Sequence, residues 1–324
     1  MAGKTCLVTG ATAGIGAVTA RELAKRGADV VVVGRSQDRG RATVEAIRRA
    51  TGNDSIEFLV ADLSSQAEVR RLAQDFLNRH DRLHVLVNNA GAMFALRRES
   101  VDGVEMTLAL NHLAYFLLTN LLLDTLKASG PARIINVSSG AHKDVKEFDF
   151  DDPQALTGVG GRRPYPKSEF TSLLYSLAMP WAHPAFMQYA QTKCANLLFT
   201  YELARRLDGT GVTANALHPG FVASRFSDGN GAFGWFIRRW ASLWAISPEE
   251  GAKTPVYLAT SPEVDGISGR YFVKEKPVPS SATSRDPAAA IRLWQVSEQL
   301  TGTHGLTDRY LMLNAFRHHG GNSL

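Results

Sequence analysis

The sequence predicts an α/β fold, a doubly wound parallel sheet, on three observations. Short runs rich in Val and Ile alternate with helical patterns over the first two hundred residues. The runs are apolar at nearly every position, as strands buried on both faces are. A glycine-rich turn, Gly10 to Gly16, joins the first run to the first helical pattern.

Taken in order, strands are expected over residues 5–9, 29–34, 56–60, 85–87, 134–137 and 212–216. Helices are expected between them, over 15–26, 39–51, 66–79, 104–127 and 188–207. Ser247-Pro248-Glu249-Glu250 opens a further helix, with a capping serine, a first-turn proline and acids at the positive helix end. A short strand over 270–273 follows. Two stretches interrupt this rhythm. Residues 144–187 hold Pro153, Pro164, Pro166, Pro180 and Pro184, so regular structure there must be short. Residues 276–287 are rich in Pro, Ser and Thr and read as a connector to a last helix over 287–300; the tail after Thr301 reads as poorly ordered. Residues 1–275 thus form one domain, with 144–187 as an insertion and a helix within 225–247. Residues 276–324 are a C-terminal extension.

Composition narrows the function classes. The chain has 324 residues, a formal charge of +5, 44% hydrophobic and 21% charged residues, which excludes disorder as the main state. Cys6 and Cys194 cannot build a disulfide framework, and the first residues lack a signal-like apolar region, so a cytoplasmic protein is expected. The longest apolar stretch, 113–123, is interrupted by Thr119 and Asn120 and is too short to span a bilayer. Arginine pairs such as Arg48-Arg49 are scattered and not interleaved with aromatics, which argues against nucleic acid. No His/Cys cluster has zinc-ligand spacing, and His318-His319 reads as a solvated tail, so no metal is expected.

The turn Thr9-Gly10-Ala11-Thr12-Ala13-Gly14-Ile15-Gly16 lies between a buried strand and a helix. In that place its glycines let backbone N–H groups approach a pyrophosphate at the positive helix end, as in Rossmann dinucleotide sites. The second strand ends in Gly34-Arg35-Ser36. A ribose with a free 2′-OH calls for an acid there, whereas a 2′-phosphate calls for a guanidinium. Arg35 therefore points to NADP(H); the alternative is a solvated arginine at a strand end.

Tyr189 and Lys193 stand four residues apart, on one face of a predicted helix. A phenol of ordinary pKa near 10 carries protons poorly at pH 7, and an adjacent ammonium favours its ionised form. Lowering it by about three units takes ~4 kcal/mol.

With these residues in view, the sequence resembles the short-chain dehydrogenase/reductase family over about residues 4–273. The motifs arrive in the family's order: Thr9…Gly10…Gly14…Gly16, Asp62, Asn88-Asn89-Ala90-Gly91, Asn111, Ser138-Ser139, Tyr189…Lys193 and Pro219-Gly220. Within the family it looks most like the retinol dehydrogenase-like group, through Asn111-His112-Leu113, Asn136-Val137-Ser138-Ser139, the run Leu198 to Leu207, and His218-Pro219-Gly220.

The resemblance implies that Tyr189 exchanges the proton on the substrate oxygen and that Lys193 holds the nicotinamide ribose and lowers the tyrosine pKa. Ser139, with Ser138 as the alternative, would hydrogen-bond that oxygen, and Asn111 would anchor a proton-relaying water. The NADP(H) contacts would be Gly10, Gly14, Ile15, Gly16, Arg35, Ser36, Asp62, Leu63, Asn89, Ala90, Gly91, Tyr189, Lys193, Pro219, Gly220 and Ser224. The family usually has Thr where Ser224 stands. Cys194 reads as a small buried hydrophobe.

Extra chain separates Ser139 from Tyr189, and it is apolar: Phe148, Phe150, Phe170, Leu173, Leu174, Tyr175, Leu177, Trp181, Phe186 and Met187. It forms either a substrate pocket or lid, or a patch over the core or at a homodimer contact. Phe233, Phe236, Ile237, Trp240 and Trp244 form a helical stripe beyond Pro219-Gly220. Core or pocket packing accounts for such a stripe; contact with a membrane surface is the alternative. The expected activity is an NADP(H)-dependent interconversion of a carbonyl and an alcohol on a bulky apolar substrate. Two other readings remain: reduction of a carbon–carbon double bond, suggested by the string Arg292-Leu293-Trp294…Leu300, and a catalytically silent NADP(H)-sensing protein.

Overall fold

A computed structural model describes residues 1–159, 164–168, 171–172, 183–222 and 245–303. Eight strands form one sheet: β1 (Thr5–Thr9), β2 (Asp29–Gly34), β3 (Ile56–Val60), β4 (Val85–Asn88), β5 (Ala132–Val137), β6 (Val212–His218), β7 (Tyr271–Val273) and β8 (Lys276–Pro277). Their order is β3-β2-β1-β4-β5-β6-β7-β8, parallel except for the β7–β8 pair. The order reverses between β1 and β4, which opens a crevice at their C-terminal ends.

The valine run of β2 shows why continuous apolar strands suit this architecture. Val31 and Val33 enter the core on one face of the sheet, while Val30 and Val32 enter the core on the other. The first face is covered by α3 (Gln66–Leu77), by α5 (Ala114–Leu121) and by α7 (Pro184–Arg206), through Leu72, Phe116 and Phe199. The second is covered by α1 (Gly14–Lys25), α2 (Gln37–Thr51) and α8 (Pro248–Thr260), through Leu23, Val44 and Leu258. Local signals place the helix ends. Ser36, Ser65 and Ser247 each accept a hydrogen bond from the backbone N–H three residues on. Gly52 ends α2 in the left-handed conformation.

The structure departs from the sequence expectations in four places. The helix expected over 104–127 is divided into α4 (Met106–Leu108), a π turn (Ala109–Leu113), α5 and α6 (Leu123–Ala128). The π turn contains Asn111, whose backbone carbonyl accepts from Asn196 Nδ2 at 2.9 Å, a partner on another helix. The tyrosine helix α7 starts at Pro184 rather than 188, because His183 Nδ1 accepts the Ala185 N–H. The expected connector contains β8, whose Pro277 is tolerated at a sheet edge. Finally, the last helix, α9 (Pro287–Thr301), docks into the main core through Trp294, which is 4% exposed.

The insertion is divided between two roles. Val145 and Phe148, with Phe150 against them, pack with Ala290 and Leu293 of α9 and with Cys194 of α7. For those two phenylalanines the core-covering alternative is the correct one. Cys6 and Cys194 are both free and buried, and burial pushes each thiol up to about 12, so both behave as small hydrophobes. No helix among the described residues is long and apolar enough to cross a membrane.

Candidate active site

The crevice between β1 and β4 is closed from below by backbone bonding. Thr9 Oγ1 accepts the N–H groups of Asn89 and Ala90 at 2.9 and 3.1 Å, and Asn89 Nδ2 donates to Thr9 O at 2.8 Å. This holds the two strand ends so tightly that Gly10, at φ 64°, could carry no side chain: a Cβ there would fall 2.7 Å from Ala90 Cα. Gly16 packs equally closely on Asn89. No side chain caps α1, whose N-cap is Ala13, so its positive end remains available to an anion.

At the end of β2, Gly34 touches the Thr12 side chain, and a Cβ would lie 2.6 Å from Thr12 Cγ2. An acid at that position would displace Thr12. Arg35 is exposed and has no hydrogen bond or ion pair among the described residues, while Ser36 is committed to capping α2. Asp62 is exposed, with Oδ1 accepting from the Ser64 N–H and hydroxyl at 3.0 and 2.7 Å. The Leu63 side chain belongs to the core. These features suit a dinucleotide with a 2′-phosphate: a tight glycine turn, an open helix end, an unpaired guanidinium and no acid.

Ser139, Tyr189, Lys193 and Asn111 converge beyond the ends of β4 and β5. The Ser139 hydroxyl hydrogen-bonds the Tyr189 phenol. Ser138, by contrast, is 2% exposed and donates to Lys193 O at 2.8 Å, so it ties β5 to the tyrosine helix. Of the two serines only Ser139 faces Tyr189. Lys193 Nζ donates to Val137 O at 2.9 Å and stands 5.5 Å from the centroid of the Tyr189 ring and 5.7 Å from that of Tyr115. Asn111 is wholly buried; its side chain is bonded both ways to the backbone of Ala92 and donates to Thr192 Oγ1 at 3.2 Å. Gly91 lies beside both Asn111 Oδ1 and Lys193 Nζ.

Burial pushes Tyr189 up to about 12, with the Ser139 hydrogen bond opposing it. Burial also pulls Lys193 down to about 7.

Tyr189 is backed by an apolar cluster of Met93, Ala95, Ala155, Val159, Tyr165, Ala185 and Met187, with Phe186 packed on it. Here the insertion does meet the tyrosine, through Ala155, Val159, Tyr165 and residues 185–187. Pro219 and Gly220 follow β6, and Val222 pairs with Ile246 where the next segment leaves and returns. Ser224 and the stripe from Phe233 to Trp244 lie outside the described residues. So do Phe170, Leu173, Leu174, Tyr175, Leu177 and Trp181. Sequence reading missed Thr12, Tyr115, Thr192, His142 and His218. Thr12 and His218 lay within quoted motifs, and Tyr115 stood four residues beyond Asn111, but none was given a role. No group of three or more His, Cys, Asp or Glu among the described residues could hold a metal ion.

Comparison with known proteins gives the same assignment. The short chain dehydrogenase model matches residues 4–148. Retinol dehydrogenase 12 of Mus musculus is 39% identical over 300 residues, which cover 93% of this chain and 87% of that protein. Polyprenol dehydrogenase of Homo sapiens is 38% identical over 314 residues, covering 94% and 87%. Among solved structures, an uncharacterised protein from Mycobacterium paratuberculosis superposes with a TM-score of 0.68 at 32% identity, over 93% of this chain and 94% of that one. The Pseudomonas aeruginosa RhlG/NADP active-site complex does so with a TM-score of 0.61 at 27% identity, over 84% and 94%. A doubly wound sheet with this crevice, and relatives of this identity along nearly the whole chain, mean that the protein belongs to the short-chain dehydrogenase/reductase family, in its retinol dehydrogenase-like group.

Proposed function

We propose that the protein is an NADP(H)-dependent oxidoreductase that interconverts a carbonyl and an alcohol on a bulky apolar substrate. The convergence of Ser139, Tyr189 and Lys193 beside the apolar cluster carries this reading. Gly10, Gly14, Ile15 and Gly16 would receive the pyrophosphate at the α1 end, and Arg35 with Ser36 the 2′-phosphate. Asp62 and Leu63 would border the adenine. Asn89-Ala90-Gly91, Lys193, Pro219, Gly220 and Ser224 would border the nicotinamide half. Bound there, the cofactor supplies the two electrons that reduce the substrate carbon. The RhlG complex with NADP supports the phosphorylated cofactor, as does the lack of an acid at Gly34.

The chain's own residues handle the proton. Ser139 Oγ accepts the Ala141 N–H at 3.2 Å, which leaves its hydroxyl proton to donate toward the substrate oxygen or the phenol. Tyr189, at about 12, is protonated at neutral pH, the form that donates to a carbonyl oxygen as it becomes an alkoxide. Lys193 would hold the ribose, and Asn111 would keep the Ala92 turn and α7 in register beside it.

The printed names of the relatives, retinol and polyprenol dehydrogenases, agree with a long apolar substrate. Against double-bond reduction stand Asn88-Asn89-Ala90-Gly91 and the serine at 139, which suit carbonyl chemistry. The test is NADPH consumption with n-alkanals of increasing length and with retinal. kcat/KM should rise with apolar length, and Tyr189→Phe should abolish turnover while leaving NADPH affinity near wild type. A flat length series, or Tyr189→Phe retaining about a tenth of kcat or more, would refute the assignment.

A further inference from the structure

His142 lies directly behind Ser139 and is fully buried. Its Nδ1 is 2.6 Å from the carbonyl oxygen of Ser139, and its Nε2 is 3.2 Å from the backbone nitrogen of Ser281. A carbonyl can only accept and an amide N–H can only donate, so the ring carries its proton on Nδ1 and its lone pair on Nε2. Burial holds its pKa below the ordinary histidine value, so the ring stays neutral. The same ring meets Tyr271 of β7 edge-on, with centroids 5.1 Å apart.

The turn that presents the catalytic hydroxyl is held by several bonds. Ser139 O accepts from His142 Nδ1 and from the His142 backbone N–H at 3.3 Å, Gly140 N–H donates to His218 Nδ1 at 3.1 Å, and Ala141 N–H donates to Ser139 Oγ. Of these, only the imidazole bond is tied to a segment outside the turn and the strands, through the Ser281 N–H on Nε2. Ser281 belongs to the C-terminal extension, and its segment is anchored by other contacts. Ser280 Oγ shares a 2.7 Å hydrogen bond with Tyr201 of α7, and Thr283 Oγ1 donates to Lys146 O at 2.7 Å.

We propose that His142 is a positioning residue through which the C-terminal extension sets the catalytic serine: the Ser281 N–H selects the histidine tautomer that donates to Ser139 O. Without that N–H the bond to Ser139 O alone favours the Nδ1–H form, and the Nε2–H form becomes populated. The Nδ1 lone pair would then face the Ser139 carbonyl, the turn would shift, and the hydroxyl would lose its aim at the substrate oxygen. This rests on the role of Ser139 proposed above.

The test is a double-mutant cycle read in NADPH-dependent retinal reduction, with the tautomer read separately by 15N NMR of histidine-labelled protein. Ser281→Pro removes the N–H and leaves the ring in place, and Ser281→Ala controls for the hydroxyl's bonds to Ser284; relative to Ser281→Ala it should lower kcat by about tenfold, the worth of one hydrogen bond, with NADPH Kd unchanged. His142→Asn offers an amide donor near the Nδ1 position and has no tautomer to select. It should keep kcat within about threefold of wild type, and adding Ser281→Pro to it should cost little more. The wild-type spectrum should show the Nδ1–H form, with Nε2–H appearing in Ser281→Pro. Equal losses from Ser281→Pro in the wild-type and His142→Asn backgrounds would overturn the proposal, as would a wild-type Nε2–H ring or a loss confined to NADPH Kd. If Ser281→Pro does not fold, His142→Gln replaces it. Its donor reaches only the Nε2 position, so it should lose about tenfold in kcat where His142→Asn does not; equal kcat values for the two would overturn the proposal. Full activity of Ser139→Ala would sink the role of that serine instead, and would leave the NMR result standing.

Discussion

Replacing Lys193 with methionine should stabilise the folded protein, and by an amount that depends on pH. The ammonium is 3% exposed, and burial pulls its pKa from 10.5 to about 7. Below pH 7 the group is charged in both states, and the folded state bears the whole cost of burying the charge. That cost is 3.5 pKa units, or about 5 kcal/mol. Between pH 7 and 10.5 the folded lysine is neutral while the unfolded one is still protonated. The unfolded state then binds more protons, so wild-type stability rises with pH across this window. At pH 8 the remaining cost is about 3 kcal/mol, and near pH 10 it is under 1 kcal/mol. Methionine carries no charge to bury. It does leave the Val137 carbonyl without its 2.9 Å donor, a loss of about 1 kcal/mol that does not vary with pH. Urea unfolding of both proteins at pH 6, 8 and 9.5 should therefore show a stability gap that narrows as pH rises. Activity should be lost at every pH. A gap of constant size across the series would refute the reasoning, because it would mean that the folded lysine does not titrate within that window.

Four further outcomes follow from the geometry. Arg35→Ala should raise the NADPH Kd by about tenfold or more and leave the NADH Kd little changed, as one charge-assisted contact to a phosphate is worth about 1.5–3 kcal/mol. Gly34→Asp alone should weaken NADPH binding without improving NADH binding, because Thr12 fills the space; combined with Thr12→Gly it should improve NADH binding, all read by fluorescence titration. Ser139→Ala should reduce kcat by about a hundredfold with little loss of stability, while Ser138→Ala should lower the melting temperature through the lost bond to Lys193 O. Trp294→Ala should destabilise the protein by about 3–5 kcal/mol in urea, since the indole packs edge-on against Phe116 with Arg206 4.0 Å above it.

The sequence by itself determined the features that depend on neighbours along the chain. Strands buried on both faces read as the continuous runs at Leu7-Val8 and Val30 to Val33, because each alternate residue meets a core. The glycine turn was legible because its steric demand falls on the residues that form it. The pairing of Tyr189 with Lys193 followed from helical spacing alone. Chain proximity says nothing about groups that meet through space. Ser138 and Ser139 are adjacent and chemically identical, and only the register of β5 against α7 decides which one bonds Lys193 O and which one faces Tyr189. The π turn at Asn111 depends on Asn196, and the tautomer of His142 depends on a backbone N–H contributed by residue 281. Phe148 and Met187 read alike within one apolar insertion, yet the first packs under the C-terminal helix and the second beside the tyrosine. The tyrosine's pKa belongs with these cases. Sequence supplies the neighbouring lysine, while the depth of burial that pushes the phenol up and the ammonium down is a property of the assembled core.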